Sequence, residues 1–271
     1  MAGDFGNDSA GGDQVTVMNI PRRRAISSFL LALLTPTLAV LAEEKKEAKT
    51  GTRGTLVDEK LAVNKQERLY RLMVPKLLAL EKPAALVVAF HGMGIDSSKV
   101  MPQYTRLDNL AAEKEFILVY PEAIGRAWGI DPKKVTADLA FFDALVAEIS
   151  SKYEVDANRI YVLGMSNGGY FAHLVGKERS TKVAAVCSHS GPLGLQTILG
   201  INAERKFPVM IVHGDKDVLF DIKIARDNRD KYQKEEHEVK YVEVAGLNHF
   251  WAVDAKINDQ IWDFFEKHPL K

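Results

Sequence analysis

Gly164-Met165-Ser166-Asn167-Gly168-Gly169 places a hydroxyl where it could act as a nucleophile. The β-rich run Arg159-Ile160-Tyr161-Val162-Leu163 precedes it, and helical periodicity follows from Asn167. That is the strand–turn–helix setting of a nucleophile elbow. The turn brings together the residues two before and two after the serine, so both must be small; here both are Gly. A Gly-x-Ser-x-Gly pattern also arises in Gly-rich loops, and the flanking strand and helix are what set this one apart. The new helix adds unpaired N–H groups and a positive dipole end beside the hydroxyl.

A serine hydroxyl needs a base, and an imidazole base needs an orienting carboxylate. Six histidines follow the serine: His173, His189, His213, His237, His249 and His268. His173 falls in the elbow helix, His268 in the terminal tail, and His237 in the charged run Lys234-Glu235-Glu236-His237-Glu238, where exposure is expected. His249 stands in Gly246-Leu247-Asn248-His249-Phe250-Trp251, between a strand at 240–244 and the last helix, and is the base expected here. The acid should leave the end of the preceding strand, which runs into His213-Gly214-Asp215-Lys216-Asp217-Val218. Asp217 is favoured over Asp215, which lies in the tight turn after Gly214 where Asp makes local bonds; Asp221 is a distant third. His213 precedes the acid, which breaks the expected order Ser, acid, His. For the oxyanion hole, the N–H of Asn167 pairs with that of Met93 or Gly94 in His91-Gly92-Met93-Gly94, which follows an apolar run at 84–90. Trp128 and Trp251 either line a substrate cleft, stacking on a sugar or aromatic acyl group, or pack in its rim.

The elements that must position these residues alternate in kind. A polar/apolar alternation at 67–74 reads as an outer antiparallel strand. Continuous apolar runs at 84–90, 116–120, 159–163 and 208–212 suit strands covered on both faces. Amphipathic helical stretches lie at 136–152, 167–177 and 257–267. Alternating strands and helices predict a mostly parallel, doubly covered sheet with the site at the carboxyl ends of its strands. The stretch 192–206 is the only sizeable insertion, too short for a large lid domain.

The chain has 271 residues, of which 46% are hydrophobic, enough for one large core. Lys+Arg and Asp+Glu both total 36; no basic field points to nucleic acid. Arg22-Arg23-Arg24 followed by an apolar stretch ending Val40-Leu41-Ala42 reads as a signal peptide within 1–42. Met18 is a plausible true start, and a retained N-terminal anchor is the competing reading. A charged, Ala/Lys-rich linker spans 43–53, and the catalytic domain spans 54–271. The expected location is secreted or periplasmic. The single cysteine, Cys187, sits in an apolar run and excludes an intramolecular disulfide.

The ordered set of His91-Gly92, Val119-Tyr120-Pro121, Trp128, Asp156-Ala157-Asn158-Arg159-Ile160-Tyr161-Val162, Gly164 to Gly169, His213-Gly214-x-x-Asp217 and His249-x-Trp251 resembles the polyhydroxybutyrate-depolymerase-like and feruloyl-type esterase family. The resemblance covers roughly residues 60–267. It implies an α/β-hydrolase fold and hydrolysis of small or polysaccharide-linked carboxylic esters through an acyl-enzyme, with Ser166, Asp217 and His249 as triad and no metal or organic cofactor. Two departures stand out. Polymer-degrading members carry Cys after His-Gly and a Cys pair near the Trp; here Met93 stands there and no pair follows Trp128. Glu122-Ala123 replaces the family's Asp-Gly after Tyr-Pro. The rival readings are a serine peptidase of similar core and a non-catalytic binding protein on a hydrolase scaffold.

Overall fold

A computed structural model describes residues 54–76, 82–94 and 97–271. The expected N-terminal extension and signal segment (1–42) and the linker (43–53) lie outside the described residues. Among the described residues eight strands make one sheet: β1 Leu56–Val63, β2 Gln66–Met73, β3 Ala84–Phe90, β4 Ile117–Pro121, β5 Val155–Met165, β6 Ala185–His189, β7 Val209–Gly214 and β8 Val239–Val244. Their order is β1-β2-β4-β3-β5-β6-β7-β8. β1 and β2 form an antiparallel hairpin, β2 pairs antiparallel with β4, and β4 through β8 run parallel. The hairpin closes at Asn64 and Lys65, both in the left-handed region (φ 51° and 65°), which matches the twist of the two strands.

The parallel strands are apolar throughout because helices cover both faces. Leu86, Val88 and Phe90 of β3, Ile160 and Val162 of β5, and Val209 and Ile211 of β7 face one core layer. Ala85, Val87, Ala89, Tyr161, Leu163, Met210 and Val212 face the other. The first layer is closed by α3 Pro132–Lys152, α4 Asn167–Glu178 and α5 Ile222–Lys234. The second is closed by α1 Ser97–Thr105, α2 Leu107–Lys114 and α6 Ile257–Glu266. α3 starts four residues before the amphipathic pattern, because Asp131 caps it by accepting from the Lys134 N–H (3.0 Å) and Pro132 opens its first turn. α6 buries Ile261, Trp262, Phe264 and Phe265 on the sheet. Residues 192–206 hold one helical turn, Leu195–Ile198, and no lid domain. No described helix is long and apolar enough to cross a membrane.

The structure corrects the expectation for His237. It is buried, not exposed: its Nδ1 lies 2.9 Å from the Phe207 carbonyl, and its ring packs edge-on against Phe207 and Tyr232. Cys187 is buried in β6, where burial pushes its thiol far up.

His173, on α4, and His189, at the end of β6, are fully buried, and burial lowers both to about 3. In the unfolded chain each returns to ~6.5. The unfolded state therefore takes up protons first, so stability is complete above that value and falls as the pH drops toward 3. Between pH 7 and pH 5 each imidazole should withdraw on the order of 2 kcal/mol. Urea midpoints across that interval should fall steeply in the wild type and less steeply in His173→Gln. A wild-type midpoint independent of pH would contradict this account.

Candidate active site

β5 ends at Met165 and α4 begins at Asn167, leaving Ser166 alone at the turn with φ 56° and ψ −119°. Its N–H donates to the His189 carbonyl at 2.9 Å, and its carbonyl accepts from the Tyr170 N–H at 2.9 Å. The turn is tight because three stretches of backbone touch. A Cβ on Gly164 would fall on the Gly168 carbonyl, and a Cβ on Gly168 would fall on the Phe90 carbonyl at the end of β3. Gly169 is confined by Ser188 and Gly191 in the same way.

The carboxylate and imidazole singled out in the sequence, Asp217 and His249, lie against each other. His249 Nδ1 lies 2.7 Å from Asp217 Oδ2, and it donates, since the ionised carboxylate only accepts. Asp217 Oδ1 accepts from the Leu219 and Phe220 N–H groups at 2.8 and 2.9 Å. Burial works to raise the Asp217 carboxyl. The Phe220 amide, His249 and the Leu219 amide outweigh it, so the group sits below the ordinary carboxylate range. The competing carboxylates have other tasks. Asp215 accepts from the Gly246 N–H at 2.7 Å, stapling the acid loop to the base loop, and Asp221 caps α5 through the Lys223 N–H at 2.8 Å. His213 is buried with Nε2 at 2.8 Å from the Phe220 carbonyl and 3.2 Å from Asp217 Oδ2, so it braces the acid loop from behind. His268 bonds the Phe264 carbonyl and Glu238, far along the chain from this loop.

Ser166 and His249 open onto one cavity of about 930 Å³, with no direct hydrogen bond between them. Such contacts tighten in many enzymes only when substrate binds. Aliphatic and aromatic side chains from separate stretches of the chain line the cavity: Met93; Val100 and Tyr104 of α1; Ile130; Tyr170 of α4; Leu219 and Phe220 after Asp217; and Phe250 after His249. No Asp, Glu, Lys or Arg among the described residues lines it. Sequence reasoning named Met93, for its amide, and missed the others. Val100 and Tyr104, spaced by four on one helix face, were a legible signal, as were Leu219 and Phe250 beside acid and base.

Of the two amides expected at the oxyanion position, that of Gly94 is engaged by the Arg126 carbonyl at 2.9 Å, and Gly94 does not line the cavity. Gly94 is therefore removed from that role. The Met93 N–H has no partner among the described residues, and the Asn167 N–H, first in α4, has none within its helix. The Asn167 side chain points elsewhere: its Oδ1 accepts from the Trp128 N–H at 2.6 Å.

The two tryptophans do not line the cavity. Trp128 is 1% exposed, stacks on Phe171 at 4.8 Å, and donates its indole N–H to the His91 carbonyl at 3.0 Å. Trp251 is 6% exposed, stacked on His189 and bonded to Asn258. Both are packing residues, since each ring is buried and stacked and each indole N–H is bonded inside the protein.

The profile of the phospholipase/carboxylesterase family matches residues 130–268, half of the chain, including the serine turn, acid and base. The chain belongs to that family. Among characterised relatives, a bifunctional acetylxylan esterase/xylanase of Neocallimastix patriciarum is 29% identical over 144 residues, 53% of this chain and 20% of that protein. This chain thus spans a fifth of that relative's length. Feruloyl esterase D of Neurospora crassa is 25% identical over 219 residues, 76% of this chain and 73% of the relative. A solved ferulic acid esterase of Anaeromyces mucronatus superposes with a TM-score of 0.63 at 19% identity, covering 79% of this chain and 90% of that one. The fold is that of the α/β-hydrolase esterases.

Gly168→Ala should cost at least about 3 kcal/mol, because the added methyl meets backbone that cannot give way. Gly246→Ala is the control: its φ is 75° with nothing within 4 Å, so only left-handed strain of about 1–2 kcal/mol applies. Thermal melts of the pair check the difference; equal losses would refute the close-contact account of the elbow.

Proposed function

We propose that the protein is a serine carboxylic-ester hydrolase working through an acyl-enzyme. The observation that carries this reading is the 2.7 Å Asp217–His249 bond standing at the same cavity as the strained Ser166 turn. In this reading Ser166 Oγ attacks the ester carbonyl while His249 Nε2 takes its proton. Asp217 holds Nδ1–H and so keeps Nε2 free to accept. The N–H groups of Met93 and Asn167 stabilise the tetrahedral oxyanion. The bond to the alcohol oxygen breaks, His249 protonates the leaving alcohol, and the ester carbon stays on Ser166. Water, deprotonated by His249, then releases the acid.

The substrate is a small or carbohydrate-linked ester of feruloyl, acetyl or hydroxyalkanoate type. The relatives named for acetylxylan and feruloyl ester chemistry support this, and the cavity adds a restriction. With no charged side chain lining it, an acyl group carrying its own charge would be desolvated without a partner. The acyl group is therefore uncharged. We further read residues 1–42 as an export signal, which puts the mature enzyme outside the cytoplasm.

The test is a panel of nitrophenyl acetate, butyrate and succinate monoester, methyl ferulate and peptide amides. Acetyl, butyryl or feruloyl esters should be turned over, the charged succinyl ester at least tenfold more slowly than butyryl, and amides not at all. Ser166→Ala should lose ~10⁴-fold or more. Turnover retained in Ser166→Ala, or cleavage of amides without esters, would overturn the reading.

A further inference from the structure

We propose that His189 is a positioning residue that sets the distance between nucleophile and base. The inference rests on Ser166 and His249 having the roles given above. β6, which ends at His189, lies between β5, which leads to the serine, and β7, which leads to the acid. The His189 main chain holds one partner and its side chain the other. Its carbonyl accepts the Ser166 N–H at 2.9 Å, and its Nε2 accepts the Ala252 N–H at 3.2 Å, three residues after His249. The Trp251 ring lies flat on the imidazole, centroids 4.7 Å apart at 19°, so the base loop is gripped by stacking as well. On the other side His189 Nδ1 is 3.1 Å from Ser190 Oγ. The proton therefore sits on Nδ1 and Nε2 is left as the acceptor.

A ring that only filled space would need none of these bonds. Here the geometry requires an acceptor at one atom, and it has to remain an acceptor while the enzyme works. Burial, with His213 and His249 nearby, keeps the ring neutral. Trp251 is fixed in turn, since its indole N–H donates to Asn258 Oδ1 at 2.8 Å and Asn258 Nδ2 to the Thr105 carbonyl at 2.7 Å. Asp215 and Asp217 also hold the base loop, but His189 is the residue among these that bonds Ser166 as well.

The experiment uses three variants of the full chain on a nitrophenyl ester. His189→Leu removes the acceptor, and His189→Gln restores an oxygen near the Nε2 position. Ala252→Pro removes the donor from the opposite side, at a backbone φ of −85° that is about 20° from proline's ordinary value. A shift of about 1 Å in the base costs ~10²-fold. His189→Leu and Ala252→Pro should lose kcat on that scale with KM within about twofold, while His189→Gln stays within about threefold of the wild type. The Leu/Pro double variant should be no slower than the worse single, because both remove the same bond. Wild-type kcat in His189→Leu, equal loss in Gln and Leu, or multiplicative loss in the double variant would overturn the proposal. If His189→Leu does not fold, Ala252→Pro alone decides. Activity surviving in Ser166→Ala would instead refute the triad beneath it, so the two failures are distinguishable.

Discussion

The contact on which the site depends is between bare backbones. Gly168 at the start of α4 rests on the carbonyls of Phe90 and His91, and Gly164 rests on Gly168. No side chain separates the end of β3, the end of β5 and the first turn of α4. This closeness brings Gly92, which follows β3, against the side chain of Ser166: a Cβ there would lie 3.5 Å from that of the serine. It also forces Ser166 to a positive φ, a conformation that costs roughly 1–3 kcal/mol and persists only when its surroundings over-determine it.

What over-determines it is a strap of polar contacts running through residues 126–129. The Trp128 backbone is held by the Asn167 side chain, its indole by the His91 carbonyl, and the Gly129 N–H by Asp138 Oδ2 at 2.8 Å. Asp138 is itself anchored by Arg68 of β2 at 2.8 Å, both side chains being almost fully buried, and the guanidinium lies 4.0 Å over the Phe141 ring. A buried pair of this kind adds little stability over an apolar replacement, because both charges must be desolvated. Its worth lies in direction. It ties an outer antiparallel strand to the loop that clamps the nucleophile turn, and removing either partner would leave a buried charge facing that loop.

Local chemistry was legible in the sequence where a residue's task is set by its neighbours in the chain. The glycines at 164 and 168, the strand before Ser166 and the order of Asp217 and His249 all have that character. The continuous apolar runs likewise announced strands covered on both faces. Tasks set by distant segments were not legible. β1, with the sequence Leu-Val-Asp-Glu-Lys-Leu-Ala-Val, is a half-exposed edge strand whose charges hide its periodicity. α5 buries only Ala225, Asn228 and Tyr232 in an otherwise charged stretch, so it reads as solvated chain. Trp128 and Trp251 show why aromatic residues near a motif mislead: a stacking surface and a structural brace have the same composition, and only the occupied indole N–H tells them apart. Gly94 makes the same point for backbone, since the Arg126 carbonyl that takes its amide lies 32 residues away.

The charge balance beneath the site follows from these placements. Asp217 is surrounded by three imidazoles: His249 on Oδ2, His213 at 3.2 Å from the same oxygen, and His189 close enough to feel all three groups. One carboxylate can balance only one positive charge, so a second protonated ring would be unpaired in a buried setting. The structure keeps the other two rings committed. His213 spends its Nε2–H on the Phe220 carbonyl, and His189 spends its Nε2 lone pair on the Ala252 amide. That leaves His249 as the ring that both faces the cavity and bonds Asp217. In the proposed reaction the apolar lining acts on the same balance, because a low-dielectric wall strengthens the pull of any N–H dipole on a charge developing at Ser166.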